Sequence, residues 1–382
     1  MRILIAPTAY KGTLSPLQAC EAIAAGIRQV LPDAVLDMCP ISDGGTGWLE
    51  AWRFHLSAPD QTWLPSQHRG NLQAGGVALK RTSVRDPLGR PIEAEYLVGN
   101  GVAILESAQA CGLHLLEPDE RRPLDASTEG VGDLLRAVDR PEIEVIWLGL
   151  GGSATTDGGT GALRALGFRF LQADGSTIPT GGRGLTVLEH IEPPTPLPLQ
   201  GKTLILCADV RNPLCGAEGA ARVFAPQKGA NPQQVALLDT GLYRLAEVLQ
   251  RQTGIDVATM PGTGAAGGLP AGFVAFWNTP IVSGIEWLLQ HIGWRERLRN
   301  ADLLITGEGQ VDAQTLMGKG VGELVGQAAA LGKPVCILAG RLGAGWEQME
   351  QLPGVRLLST QKVAPNLPPA KALTITARLA VR

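Results

Sequence analysis

The chain has 382 residues, 45% hydrophobic and 18% charged, with a formal net charge of −3. That balance describes a globular protein with material for two cores, and it offers no electrostatic footing for nucleic acid or an anionic membrane as partner. Aromatic residues make up only 4%, which argues against stacking platforms for bases, and no run approaches the length of a membrane span.

Ile3 to Ala6 is an all-apolar run, expected to be a strand buried on both faces. The apolar part of Met1–Pro7 is too short for a signal peptide, so a cytoplasmic location is expected. Ser15-Pro16 has the chemistry of a helix start, and Leu17 to Leu31 shows helical spacing. Asp33 to Cys39 reads as a second strand, Pro40 to Gly47 as a Gly-rich loop and Trp48 to Phe54 as a second helix. This βαβα opening predicts a parallel sheet with helices on its faces.

From Ala58 the texture changes, and Gln61 to Arg69 is polar and irregular. Val77–Thr82, Ala94–Val98 and Val102–Glu106 read as strands of an antiparallel meander, with turns at Asp86-Pro-Leu-Gly89 and Gly99-Asn-Gly101. A helix over Ser127–Ala137 precedes the strand Val145–Leu148, a long Gly-rich loop and a helix over Ala162–Leu166. Phe168–Gln172 and the residues from Thr177 are expected to form a hairpin about Asp174-Gly175. Thr203–Ala208 is a further buried strand and Pro232–Gly254 a long helix. Gly262-Thr-Gly-Ala-Ala-Gly267 matches G-x-G-x-x-G literally, but no strand precedes it and Pro270 follows, which argues against a dinucleotide site.

After Ile281 the βαβ texture returns. Helices are expected over Ile285–Leu298, Leu316–Leu331 and Pro368–Arg382, and strands over Asp302–Thr306, Val335–Ala339 and Val355–Ser359. The economical architecture is one parallel α/β domain made of residues 1–75 and 285–382, with an α/β domain of mixed sheet inserted at 76–284. The carboxyl ends of the strands would then open into a cleft between them.

The six cysteines form no C-x-x-C and sit in apolar runs, as buried free thiols of a reducing compartment do. The five histidines are isolated, without zinc-site spacing. The informative feature is an echo: Asp43-Gly-Gly-Thr-Gly-Trp-Leu-Glu-Ala51 and Asp157-Gly-Gly-Thr-Gly-Ala-Leu-Arg-Ala165 share D-G-G-T-G-x-L-x-A. Each copy puts a carboxylate and exposed N–H groups at a helix start, an arrangement suited to an anion. Two Asp N-caps would also explain it, but a cap does not require so many glycines. Lys11, Asp209 with Asn212, and Glu308 with Asp312 follow other strands, where ligands of open α/β sheets bind. Carboxylates beside Gly-rich helix starts, a lysine and no metal cage point to phosphoryl transfer, which needs Mg²⁺ on one or two carboxylates and N–H groups around the phosphates.

Ile5-Ala-Pro7, Tyr10-Lys-Gly12, Asp43-Gly-Gly45, Leu150-Gly-Gly-Ser-Ala-Thr155, Asp157-Gly-Gly159 and Asp209-Val-Arg-Asn-Pro-Leu214 are all present in order. Phe224-Ala-Pro-Gln-Lys-Gly-Ala230, Gly264-Ala-Ala-Gly-Gly268 and Ile305-Thr-Gly-Glu-Gly309 continue the series over nearly the whole chain. In these motifs the chain resembles the bacterial glycerate kinase family. The resemblance implies two α/β domains, one of them flavodoxin-like, and transfer of phosphate from ATP to the 2-hydroxyl of D-glycerate with Mg²⁺. Thr8-Ala9 stands where the family usually has Asp-Ser, and Thr46 where it has Glu; both changes remove an acid beside candidate site residues and bear on metal handling and substrate choice.

The expected roles are Lys11 against substrate carboxylate or phosphate, Asp157 orienting or deprotonating the attacking hydroxyl, and Asp43 or Asp209 holding Mg²⁺. Gly44, Gly45, Gly151, Gly152, Ser153, Thr155, Asn212 and Glu308 complete the substrate and phosphate site. Asp43 and Asp157 are expected to face one cleft. Other readings are a kinase for a related small hydroxy acid, or a Rossmann-type dehydrogenase using Gly149-x-Gly151-x-x-Ala154 with Asp174 as its acid. The partners expected are small molecules, with homo-oligomer formation left open.

Overall fold

The computed structural model describes residues 1–10, 12–57, 76–313, 315 and 320–381. Lys11 and the polar stretch Gln61–Arg69 lie outside the described residues. Two compact units emerge, one from Met1–Gly70 with Gly284–Arg382 and one from Asn71–Ser283.

In chain order the elements are β1 (Arg2–Pro7), α1 (Pro16–Arg28), β2 (Val35–Met38) and α2 (Trp48–Leu56), then β3 (Ala78–Arg85), β4 (Pro91–Gly99) and β5 (Val102–Glu106). Next come α3 (Glu129–Val138), β6 (Val145–Gly149), α4 (Thr160–Ala165), β7 (Arg169–Leu171), β8 (His190–Glu192), β9 (Thr203–Cys207) and α5 (Pro232–Thr253). The remainder are α6 (Pro270–Trp277), β10 (Ile281–Val282), α7 (Gly284–His291), α8 (Trp294–Asn300), β11 (Leu303–Val311), α9 (Val321–Ala330), β12 (Val335–Leu342), β13 (Val355–Ser359) and α10 (Pro369–Ala380).

The first unit is a five-stranded parallel sheet in the order β13-β12-β11-β1-β2. Read in chain order this is the flavodoxin-like 2-1-3-4-5 arrangement. Ile3, Leu4 and Ile5 are wholly buried because helices cover both faces of the central strand. Helix α1 begins with the predicted Ser15 cap, which forms a capping box with Gln18. It packs against α10, where the Thr374 hydroxyl donates to the Ala22 carbonyl at 3.0 Å.

The second unit has a mixed six-stranded sheet, β10-β9-β6-β5-β4-β3. Its β3-β4-β5 part is the expected antiparallel meander, and β5, β6, β9 and β10 run parallel. Their carboxyl ends therefore gather at one edge.

Three expectations are corrected. Strand β7 pairs with β8, not with the segment after Asp174-Gly175, which contributes a single bridge between Leu171 and Thr177. The helix expected over 285–298 stops at His291 and restarts at Trp294, a break that lets the Trp294 ring be buried. Strand β11 does not end before Gly307 but runs on to Val311, pairing Gln310 with Arg341.

Arg297 on α8 ties the first unit together. Its guanidinium donates to both Asp37 oxygens (3.1 and 2.5 Å), to the Met38 carbonyl (2.9 Å), and to Cys39 Sγ and His55 Nδ1 (3.3 Å each). His55 therefore accepts at Nδ1 and donates from Nε2 to the Pro40 carbonyl at 3.0 Å. Burial, reinforced by the Arg297 charge, lowers the His55 imidazole to about 3. A histidine held neutral in the fold stabilises fully above its ordinary value of about 6.5, and this stability is lost as pH falls toward 3. At pH 5 the loss should reach about 2 kcal/mol. Urea unfolding followed by Trp fluorescence should show the midpoint falling from pH 7 to 5, and His55→Gln should flatten that slope.

Candidate active site

Residues 150–159, the loop between β6 and α4, form the centre of the second unit's carboxyl edge. Asp157 is wholly buried there. Its Oδ2 accepts from Thr128 N (2.9 Å), Thr128 Oγ1 (2.8 Å) and Gly161 N (3.1 Å), and its Oδ1 from Gly159 N (3.1 Å). Burial pushes its carboxyl upward against the opposing pull of these donors. Sealed in this way, the carboxylate caps α4 and anchors it to the start of α3. Both oxygens of Asp157, expected to orient the attacking hydroxyl, are thus engaged by donors of the fold.

Above this anchor the loop is held at its flanks. Leu150 N donates to Cys207 O, Ala154 N to Cys111 O, and Leu113 N to Gly152 O. Among the described residues, the N–H groups of Gly151, Gly152 and Ser153 donate to nothing. Gly152 has φ +64°, which fits a concave run of N–H groups able to take an anion. Thr155, expected among the ligand contacts, is instead wholly buried. Its carbonyl accepts from Lys228 Nζ at 2.5 Å, and the same ammonium donates to Ser153 Oγ at 3.2 Å. Lys228 is itself 3% exposed.

The G-x-G-x-x-G stretch proves to be support for this loop. Gly158 N donates to Gly267 O at 3.1 Å, and a Cβ on Gly267 would stand 2.0 Å from Thr155 O. Its glycines exist for close backbone packing. The dehydrogenase reading is corrected as well, since Asp174 sits in an exposed turn, accepting from Ser176 N and Oγ, and ends no strand of the parallel sheet.

On neighbouring strands, Glu106 ends β5 and is 2% exposed. Asp209, just past β9, is half-buried and accepts from Ser283 Oγ at 2.7 Å. Asn212 is committed to its turn, its Nδ2 donating to Glu218 O at 2.8 Å.

In the first unit, the order of the sheet reverses between β1 and β11, the place where such sheets bind ligands. Thr8 N and Oγ1 both donate to Gly307 O there (2.9 and 3.3 Å), and Ile41 N donates to Pro7 O at 3.1 Å. The loop carrying Asp43, Gly44 and Gly45 is thereby fastened to the end of β1. Asp43 Oδ1 accepts from Gly45 N at 3.0 Å, the same turn that Asp157 makes with Gly159. Its Oδ2, however, has no hydrogen-bond partner among the described residues, and the side chain is half-buried. Glu308 accepts from Thr315 Oγ1 at 2.8 Å, and Asp312 from Gln310 Nε2 at 2.6 Å. Among the described residues no three His, Cys, Asp or Glu side chains cluster as a metal cage.

No role was expected for Glu106, and Lys228 stood only within the motif Phe224–Ala230. The position of Glu106 at the end of an apolar strand was a usable signal. Nothing in Pro226-Gln-Lys228 marks a lysine that will be buried.

The two aspartates of the echo should respond differently to the same change. Asp157→Asn turns an amide N–H toward donors and should cost about 2–4 kcal/mol of stability. Asp43→Asn should shift stability by less than about 0.5 kcal/mol. Urea midpoints of the two variants check this.

Comparison with known proteins places the chain in a family. The model of the glycerate kinase family matches residues 3–374. The glycerate kinase of Halalkalibacterium halodurans is 40% identical over 348 residues, covering 90% of this chain and 87% of that one. The glycerate 2-kinase of Escherichia coli strain K12 is 36% identical over 346 residues, covering 90% and 86%. A crystal structure assigned as glycerate kinase 2 from Salmonella typhimurium LT2 superposes with a TM-score of 0.74 at 34% identity, covering 100% of this chain and 97% of that one. The chain belongs to the glycerate kinase family and is a phosphotransferase.

Proposed function

We propose that this chain phosphorylates D-glycerate at the 2-hydroxyl with ATP as donor and Mg²⁺ as the accompanying ion. The observation that carries the reading is the loop Gly151-Gly152-Ser153, which presents N–H groups without a partner among the described residues at the carboxyl end of a parallel strand. Such groups suit phosphate oxygens and need no reorganisation as charge shifts during transfer.

Phosphoryl transfer has a loose transition state, so the protein contributes chiefly position and charge. In this reading the Gly151–Ser153 N–H groups receive phosphate oxygens. Asp43 fits a hard cation because one oxygen is fixed by Gly45 N and the other stays available. Asp209, with Oδ1 oriented by Ser283, is the carboxylate of the second unit suited to magnesium or to orienting the substrate hydroxyl. Magnesium, when bound, would neutralise charge on the phosphates. Gly44 and Gly45 leave the backbone accessible beside Asp43, and Glu308, oriented by Thr315, is held at the same sheet end for a hydroxyl of the acid. Lys11 follows β1 in the sequence and would contribute a positive charge. The acids absent at Thr8-Ala9 and Thr46 leave Asp43 with fewer acidic neighbours than the family pattern provides, so affinity for magnesium should depend heavily on it.

ADP release should be measured with D-glycerate, L-glycerate, lactate and four-carbon hydroxy acids, with ³¹P NMR of the product separating 2- from 3-phosphoglycerate. D-glycerate should give the highest kcat/KM and the 2-phosphate. Release with a different acid alone would replace glycerate as substrate, and release with none would refute the kinase reading. Asp43→Asn should lower kcat by about 100-fold or more and raise the Mg²⁺ concentration needed for half-maximal rate.

A further inference from the structure

Lys228 poses a physical question. It ends the turn Pro226–Lys228 and is 3% exposed. Among the described residues no carboxylate lies within ion-pairing distance of it. Burying an ammonium without a hydrogen-bonded counter-charge is costly, and an apolar side chain of similar volume would fill the same space without that cost. The charged groups facing it offset it only in part, and none through a hydrogen bond. Asp157 spends both oxygens on four other donors, and Cys111, pushed by burial up to about 12, is a neutral thiol. Arg121 donates to the carbonyl of the adjoining Gln227 and brings no negative charge. The positive charge is therefore left to act on the loop it touches.

What it touches is specific. Two of the three Nζ–H groups are used, one on Thr155 O and one on Ser153 Oγ. A serine oxygen that accepts from an ammonium must direct its own proton elsewhere. Ser153 also carries one of the three unpaired N–H groups of the loop.

We propose that Lys228 is a positioning residue for phosphoryl transfer: by donating to Ser153 Oγ from beneath the loop, it leaves the serine proton as a donor to a phosphate oxygen held at Gly151–Ser153, and it adds positive charge there without touching the substrate. This rests on the phosphate reading of that loop. Geometry carries the argument, and titration gives it a signature. Burial lowers the Lys228 ammonium to about 8, against the pull of the nearby Asp157 charge. Activity that needs the charged form should therefore fall as pH rises past about 8.

The test uses the full chain with Lys228→Met, Lys228→Arg, Ser153→Ala and the Lys228→Met/Ser153→Ala double variant. Two readouts are taken: MgADP affinity by calorimetry and kcat for ADP release with D-glycerate. Lys228→Met should keep or raise the urea midpoint while weakening MgADP about 10-fold and lowering kcat about 100-fold. Lys228→Arg, whose planar head cannot reproduce the point contact, should not restore either value. The double variant should be no worse than the poorer single variant, because the lysine acts through the serine. The alkaline fall in kcat above about pH 8 should vanish in Lys228→Met. Wild-type values in Lys228→Met, multiplicative losses in the double variant, or an unchanged alkaline limb would each overturn the proposal. A Lys228→Met chain that fails to fold would make the lysine a structural strut and overturn it too. Should the wild type transfer phosphate to no acceptor, the kinase reading falls by itself, and the MgADP affinities of the four variants still decide the role of Lys228.

Discussion

A buried carboxylate with every acceptor position filled organises the second unit. Removing Asp157 from water is expensive, and the expense is offset because four donors from two helix starts converge on it. Those donors come from Thr128, Gly159 and Gly161, so one side chain fixes the start of α4 against the start of α3. With that junction rigid, the loop from Leu150 to Thr156 has a fixed base. Its upper N–H groups stay unpaired because its flanks are bonded elsewhere, to Cys111, Leu113 and Cys207. The phosphate contact proposed for this loop would depend on stiffness, since a loop free to collapse would satisfy its own N–H groups.

The repeated D-G-G-T-G segment shows how one local pattern acquires two uses. In both copies the aspartate accepts from the N–H two residues on, and a left-handed glycine precedes the helix. Local sequence accounts for that much. The difference lies in the second oxygen: the start of α3 delivers two hydrogen bonds to Asp157 through Thr128, and α4 a third through Gly161, while the copy at Asp43 meets no such partner among the described residues. The same turn therefore yields a structural anchor in one unit and an available carboxylate in the other.

Much of the fold was legible for simple reasons. Ile3–Ala6, Val145–Leu148 and Val335–Ala339 are buried on both faces and read as unbroken apolar runs, and Ser15-Pro16 and Asn231-Pro232 open helices with complete capping boxes. The misreadings share one cause. Asp174-Gly175 is a good turn locally, but Arg169–Leu171 finds more to pair with in His190–Glu192. Residues 285–298 keep helical spacing throughout, yet burial of Trp294 demands a change of direction. Gly307-Glu-Gly309 reads as a loop, and β12 beside it keeps it in the sheet as far as Val311. In each case a partner distant in sequence outweighed the local preference.

By itself the sequence determined the alternation of strands and helices, the parallel sheet drawn from both termini, the glycine-rich ends of the strands and the family motifs. Those depend on periodicity, caps and turn chemistry, which act over a few residues. Only the tertiary structure decided which carboxylate is sealed and which is available, and that Lys228 lies beneath Ser153. Whether a polar side chain is a scaffold or a site depends on how many donors and acceptors reach it in space, and that number comes from segments tens of residues apart.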